Sequence, residues 1–267
     1  MLRSLKELKR YTVTATDGDV GTVVKFLFDD ERWAIRYLVV HTGGFFDGQY
    51  VLISPISFRE VDWAAHAFHL ALTKDKIKNA PSIDTDRPVS RQHERDYYQY
   101  YGYPQYWGYM EPWGMGYYPA LLAAGPGSRS PNEQAAGDSG DAHLRSAKEV
   151  RGYHIQGRDD GLGFVEDFII DDETWEVRYL VVDTSHWWWG HRVLVAPRWT
   201  SGVSWTHRKV FVSLSREAIK KSPSWDPSSV IRRDYEARLH DFHGLRGYWG
   251  EAISEGGPQV LAGAHTR

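Results

Sequence analysis

The sequence predicts a mainly β protein: two small antiparallel barrels in tandem, each followed by a short helix. Two observations carry this. Shifted by 142 positions, residues 4–108 lie on residues 146–250 without a gap, and about a third of the paired positions are identical. Within each copy, short β-prone stretches alternate with turn residues, and one helical pattern closes the set. Arrays of short repeats need roughly three or more units, whereas two long units read as two similar domains. The expected organisation is a first barrel over 4–84, an aromatic-rich segment and flexible linker over 85–145, a second barrel over 146–226, and a C-terminal extension and tail over 227–267.

Each copy opens on a turn, Thr16-Asp17-Gly18-Asp19 or Arg158-Asp159-Asp160-Gly161, whose residues tolerate a positive φ. Gly21 and Gly163 then open strands over 22–28 and 164–170. Asp29-Asp30-Glu31 and Asp171-Asp172-Glu173 read as hairpin turns, since they lack the alternating oxygens and central Gly of a calcium loop. The strands over 33–42 and 175–184 are the most β-prone of their copies. Shorter strands follow over 50–54, 57–63 and 67–72, and at the equivalent positions of the second copy.

Thr73 and Ser215 are N-caps of the closing helices, and Pro81 and Pro223 stop the chain after them. Leu72 with Ile77, and Leu214 with Ile219, stand at the two positions of a hydrophobic staple.

The strand over 35–40 is apolar on both faces. Ile35, Tyr37 and Val39 are expected to fill the barrel interior, yet Leu38 and Val40 must also leave water, and 177–182 repeats the pattern. A one-sided strand alternates apolar with polar residues. Something therefore covers the outer face: the terminal helix, the other copy, or a partner. A pseudo-twofold packing of one barrel on the other is expected, and homo-oligomer formation stays open.

These residues resemble the PRC-barrel family. The resemblance runs through Asp17-Gly18, Val20-Gly21, Val23, Phe28-Asp29, Ile35-Arg36-Tyr37-Leu38-Val39-Val40, Val51-Leu52-Ile53-Ser54-Pro55 and Leu72-Thr73 to Ile77 and Pro81. In the second copy it runs through Gly163, Val165, Ile170-Asp171, Val177 to Val182, and Val193 to Pro197. The family includes the cytoplasmic part of the photosynthetic reaction-centre H subunit and the C-terminal domain of a ribosome maturation factor. The resemblance implies two antiparallel barrels that dock on other macromolecules rather than turn over substrate. Labels of photosynthetic electron transport follow from the family name alone.

Composition narrows function by exclusion. A net charge of −3 gives no electrostatic footprint for nucleic acid. The chain holds no Cys, so disulfide frameworks, thiolate metal sites and Cys nucleophiles are excluded. No stretch approaches the roughly 20 apolar residues of a membrane span. No signal-peptide pattern opens the chain, and a cytoplasmic location is expected. Nucleophile-elbow, phosphate-loop and dinucleotide motifs are absent, so no cofactor and no enzymatic activity are expected.

Aromatic residues stand out: 12 Trp and 16 Tyr against 3 Met. The loop tips Phe45 and Phe46, matched by Trp187, Trp188 and Trp189, are candidate partner-binding anchors, or plugs of a barrel mouth. They also allow a peripheral membrane contact. Tyr100, Tyr101, Tyr103, Trp107 and Trp113 are the further candidates, in a segment whose early part reads as a helix from about Ser90 to Gly102. Tyr106-Trp107 returns as Tyr248-Trp249, which points to a tether on the barrel. No Lys or Arg stands between Tyr97 and Ala124, which argues against single-stranded nucleic acid. His186 with His191, and His240 with His243, are pairs without a third ligand, a poor basis for zinc or for a metal-dependent enzyme. Arg36 and Arg178 are expected to pair with a carboxylate of their barrel.

Overall fold

A computed structural model of the chain describes residues 1–43, 48–81, 89–107, 113, 118–119, 144–184 and 191–250. The chain is mainly β, with two seven-stranded sheets and a few short helices. The first repeat comprises β1 (Leu2–Ser4), α1 (Leu5–Leu8), β2 (Thr12–Ala15), β3 (Gly18–Asp29), β4 (Ala34–His41), β5 (Tyr50–Ile53), β6 (Phe58–Asp62), β7 (Ala67–Leu70), α2 (Lys74–Lys78) and α3 (Arg91–Tyr101). The second repeats it: β8 (Leu144–Ser146), α4 (Ala147–Val150), β9 (His154–Gln156), β10 (Gly161–Asp171), β11 (Val177–Asp183), β12 (Arg192–Val195), β13 (Thr200–Ser204), β14 (Lys209–Val212), α5 (Arg216–Lys220) and α6 (Arg233–His243).

Each sheet follows an open path, β5-β4-β3-β2-β7-β6 and β12-β11-β10-β9-β14-β13, whose two ends are not joined to each other. Pairing is antiparallel except between β2 and β7 and between β9 and β14. Gly21 and Gly163 sit where the backbones of β3 and β10 press on those of His41 and Asp183, and a Cβ at either would strike a carbonyl oxygen. The closing helices form as their caps require. Thr73 Oγ1 accepts from the Lys76 amide at 3.3 Å and Ser215 Oγ from the Ala218 amide at 3.2 Å, with Ile77 and Ile219 buried beneath.

The seventh strand of each sheet comes from the other repeat. β1 pairs with β10, placing Leu2 opposite Asp171 and Ser4 opposite Ile169. β8 pairs with β3, placing Leu144 opposite Asp29 and Ser146 opposite Leu27. The two registers are the same under the 142-residue shift, so the exchange is reciprocal about a pseudo-twofold axis. β8 begins at Leu144, within the stretch assigned above to the linker.

Two arginines fasten the exchanged strands. Arg3 Nε lies 3.1 Å from Asp172 of the other repeat, and its guanidinium sits 3.9 Å over Trp63 of its own. Arg145 does the same with Asp30 at 2.9 Å and Trp205 at 4.3 Å. The acidic turns thus have two uses. Asp29 and Asp171 accept the amides of their own turns, and Asp30 and Asp172 take the incoming arginines.

On the axis the repeats touch directly. Ile35 N donates to Trp175 O at 2.8 Å and Val177 N to Trp33 O at 2.6 Å. Trp33 and Trp175 both adopt a left-handed backbone, φ 54° and 58°, which turns their carbonyls toward the other repeat. Trp175 reaches into the first repeat and packs against Phe58 and Phe68, while Phe28 meets Phe168 at 5.5 Å. One hydrophobic core runs through both halves.

The doubly apolar strands are buried throughout: Leu38, Val40, Leu180 and Val182 have no exposure. One feature departs from simple alternation. The β3–β4 register slips between Leu27 and Phe28, and the β10–β11 register between Ile169 and Ile170, leaving a bulge at Arg36 and at Arg178. A bulge lets consecutive side chains share a face. Tyr37, expected in the interior with Ile35 and Val39, therefore joins Arg36 in meeting the chain's own aromatic segment.

Candidate functional site

Among the described residues, two matching clusters of buried polar groups lie where α3 and α6 meet β4 and β11. Glu94, Tyr97, Tyr98 and Tyr101 follow helical spacing and form the buried face of α3. Ser90 caps its start, accepting from the His93 amide at 3.2 Å, and Gly102 closes it at φ 73°. In α6 the matching buried face carries Glu236, Leu239 and His240, and Gly244 closes it at φ 64°.

Glu94 is the hub of the first cluster. Its Oε1 accepts from Tyr106 at 2.7 Å and from Tyr37 at 3.1 Å, and its Oε2 pairs with Arg91 at 2.9 Å. Glu236 repeats this oxygen for oxygen, with Tyr248 and Tyr179 both at 2.9 Å and Arg233 at 3.1 Å. Burial pushes both carboxyls above the usual range, against the opposing pull of the arginines and tyrosine hydroxyls. Burial likewise raises the Tyr37 and Tyr179 hydroxyls, with the neighbouring carboxylates adding to it.

Beside each hub lies an arginine. Arg36 is completely buried, pairs with Asp29 at 2.9 Å, and lies over the rings of Tyr106 at 3.6 Å and Trp113 at 4.8 Å. Burial works to raise the Asp29 carboxyl, but the Arg36 charge and the hydrogen bonds from Arg36, Arg32 and Glu31 outweigh it and hold the group below its ordinary value. Arg178 is bound less tightly to Asp171, at 3.8 Å, pairs with Glu176, and lies 4.0 Å over Tyr248.

The halves differ in what stands on these arginines. In the first, Trp113 is fully buried and donates from Nε1 to the Thr174 carbonyl of the other repeat at 2.6 Å. In the second, the corresponding position is a cleft of about 350 Å³ lined by Arg32, Trp33, Glu176, Arg178, Arg198 and Tyr248, among others. A second cavity, of about 300 Å³, is lined by Asp159, Thr184, His191, Arg216 and Lys220, among others.

Among the partner-binding candidates, Tyr101 and Trp113 are buried and Tyr103 and Trp107 partly so. Tyr103 shares a hydrogen bond with Ser57 at 2.8 Å. Tyr100 keeps 36% of its surface exposed while donating to the Lys76 carbonyl at 2.8 Å. Phe45, Phe46, Trp187, Trp188 and Trp189 lie outside the described residues, as does His186. The other histidine pair is divided between partners. His240 Nε2 meets the Tyr179 hydroxyl at 3.1 Å, and His243 Nε2 meets Ser222 Oγ at 3.1 Å. Burial lowers both imidazoles. Among the described residues no three His, Asp or Glu side chains converge as a metal site. Among them, too, no helix is long and apolar enough to cross a membrane.

No protein-family model matches the chain. The chain is 34% identical over 97 residues to an uncharacterised protein of Deinococcus radiodurans, an overlap covering 31% of this chain and 35% of that protein. The match therefore spans about a third of the relative's length.

Sequence patterning does not mark the hubs, because a Glu and an Arg on a short helix carry no sign of burial. The repeat held the signal. Glu94, Arg91, Tyr37 and Tyr106 all recur, as Glu236, Arg233, Tyr179 and Tyr248, in a comparison where only about a third of positions do.

Proposed function

We propose that the chain is a non-enzymatic docking protein, an adaptor made of two PRC-type barrels joined into one body. The observation that carries this is the inward use of its reactive groups. Glu94 is 2% exposed and Tyr37 and Arg36 not at all. Glu94 and Tyr37 hydrogen-bond to each other across α3 and the sheet, and Arg36 pairs with Asp29 while lying over Tyr106 and Trp113, so these groups hold the aromatic segment in place. The reciprocal strand exchange supports the same reading, since it makes a single stiff platform. PRC-type barrel closure, membership of that family and cytoplasmic residence belong to this proposal and draw on the order of the sequence motifs.

Affinity capture of the tagged chain from its native cell tests it, beside variants carrying Trp187→Ala, Trp188→Ala and Trp189→Ala, or Phe45→Ala and Phe46→Ala. A partner enriched by the wild type and lost with a loop variant is the expected result. Equal recovery with every variant removes the loops from the account, and recovery of nothing above background overturns docking.

A second reading rests on the three adjacent tryptophans, a side chain favoured at membrane interfaces. On it, the chain is a membrane-surface factor of the reaction-centre kind. Co-sedimentation with anionic liposomes, lost in the triple Trp variant, supports it; no co-sedimentation removes it.

A further inference from the structure

We infer that the cleft beside Arg178 is a receptor for a tryptophan side chain supplied by another polypeptide. The first repeat shows what the seat takes. There the indole of Trp113 lies over the Arg36 guanidinium, which also covers Tyr106, and Nε1 donates to the Thr174 carbonyl. Carried across the pseudo-twofold axis, Arg36 becomes Arg178, Tyr106 becomes Tyr248, and Thr174 becomes Arg32. All three line the open cleft, and Arg178 already stands over Tyr248. The second seat has the same arginine platform and the same carbonyl position. Its volume of about 350 Å³ falls within the roughly 300–1,000 Å³ of ordinary ligand pockets.

Among the described residues no second ring stands over Arg178 beside Tyr248. The position 142 residues after Trp113 is Glu255, and residues 251–267 hold no Trp, Tyr or Phe. The walls differ in the way an exchangeable site needs. At two further lining positions of the second seat the first repeat has Ala34 and Ile56, both fully buried. Their counterparts, Glu176 and Arg198, line the second. Arg198 is exposed and gives the cleft a polar rim that an arriving backbone can meet without losing its hydrogen bonds. Tryptophan is also the side chain that gains most from stacking on a guanidinium.

The polypeptide source rests on the docking function proposed above, but the ring-binding seat does not. The test uses the full chain with N-acetyl-5-fluorotryptophan amide, followed by fluorine NMR. Saturable binding at one site is expected, displaced by N-acetyltryptophan amide and not by N-acetylleucine amide. Arg178→Lys keeps the charge and removes the planar stacking surface, and should weaken binding about three- to tenfold. Trp113→Ala empties the first seat and should raise the count from one site to two. Binding untouched by Arg178→Lys, binding seen only after Trp113→Ala, or no binding in any form overturns the seat. A capped Gly-Gly-Trp-Gly-Gly peptide that binds at least as tightly as the amide supports a polypeptide source. A peptide that fails where the amide binds overturns that source and leaves a small indole as ligand. Partner capture is read separately, so loss of the seat does not decide the docking function.

Discussion

Ala34 and Glu176 occupy the same position in the two repeats, and they pair with each other. The hydrogen bonds on either side, Ile35 to Trp175 and Val177 to Trp33, are likewise exchanged between equivalents. The pseudo-twofold axis therefore passes between these two residues. A position on such an axis meets its own copy, which explains why the repeats differ here. Two glutamates would face each other across a closely spaced antiparallel pair, and like charges there are destabilising.

It follows that Ala34→Glu destabilises the chain by about 2 kcal/mol or more, because it adds volume and a second carboxylate at a buried site. Burial already pushes the Glu176 carboxyl up, so the added penalty should shrink as the pH falls and the pair shares a proton. Urea unfolding at pH 7.5 and 5 checks this; a penalty independent of pH would count against the axial placement.

Removing the hub should cost more than removing one spoke. Tyr37→Phe deletes one hydrogen bond to Glu94, a loss of about 1 kcal/mol. Glu94→Ala takes the acceptor from the buried Tyr37 and Tyr106 hydroxyls and the counter-charge from Arg91, leaving only the Arg91–Tyr106 contact at 3.0 Å, and should cost about 3 kcal/mol or more. Thermal denaturation of the two variants gives the comparison, and equal losses would contradict a shared hub.

The two platform arginines should respond unequally to the same change. Arg36→Met leaves Asp29 as an uncompensated carboxylate that is 2% exposed, and breaking such a pair costs about 3–5 kcal/mol. Arg178 stands farther from its aspartate and nearer solvent, so Arg178→Met should cost clearly less. Chemical denaturation of both checks the order.

The second repeat should add an acid sensitivity from two buried histidines to that of His93 in the first, which burial lowers as well. His240 and His243 stand where the first repeat has Tyr98 and Tyr101, and burial holds both imidazoles below 6.5. A folded-state value below the unfolded one means that the unfolded chain takes up protons first as the pH falls through 6.5. Stability contributed by the neutral rings is present above that pH and is lost below it. Replacing both with the first repeat's residues, His240→Tyr and His243→Tyr, should flatten the fall in unfolding free energy between pH 7.5 and 5.5. The carboxyls of Glu94 and Glu236 are raised and act in the opposite sense, so they do not produce the fall.

Much of this was legible before any coordinates. Strand periodicity and turn residues located β3 to β7 and their copies, and the Thr73 and Ser215 caps located α2 and α5. The need to cover Leu38 and Val40 followed from a strand without a polar face. The strand exchange was not legible, for a physical reason. Leu2–Ser4 and Leu144–Ser146 are three residues each, too short to show a period, and their partners lie more than a hundred positions away. Their trace is the repetition of Leu2-Arg3-Ser4 as Leu144-Arg145-Ser146 and of Asp30 as Asp172, with Arg3 and Arg145 pairing to these aspartates to hold the exchanged strands. The bulge at Arg36 was hidden for the opposite reason: strict alternation is the rule that a bulge breaks, and it moved Tyr37 to the face of the aromatic segment. The open cleft is a difference between repeats, visible only once Trp113 is seen on Arg36.

The central claim is that the repeats clasp each other about an axis between Ala34 and Glu176. The chain has no Cys, so Ala34→Cys combined with Glu176→Cys introduces one pair alone. Facing residues of this kind lie about 4.5 Å apart at Cα, within disulfide reach. Mild oxidation at low protein concentration should give a monomeric, internally cross-linked chain, seen by non-reducing electrophoresis and peptide mass mapping, that melts above its reduced form. Free thiols after oxidation, or cross-links only between chains, would contradict the clasp.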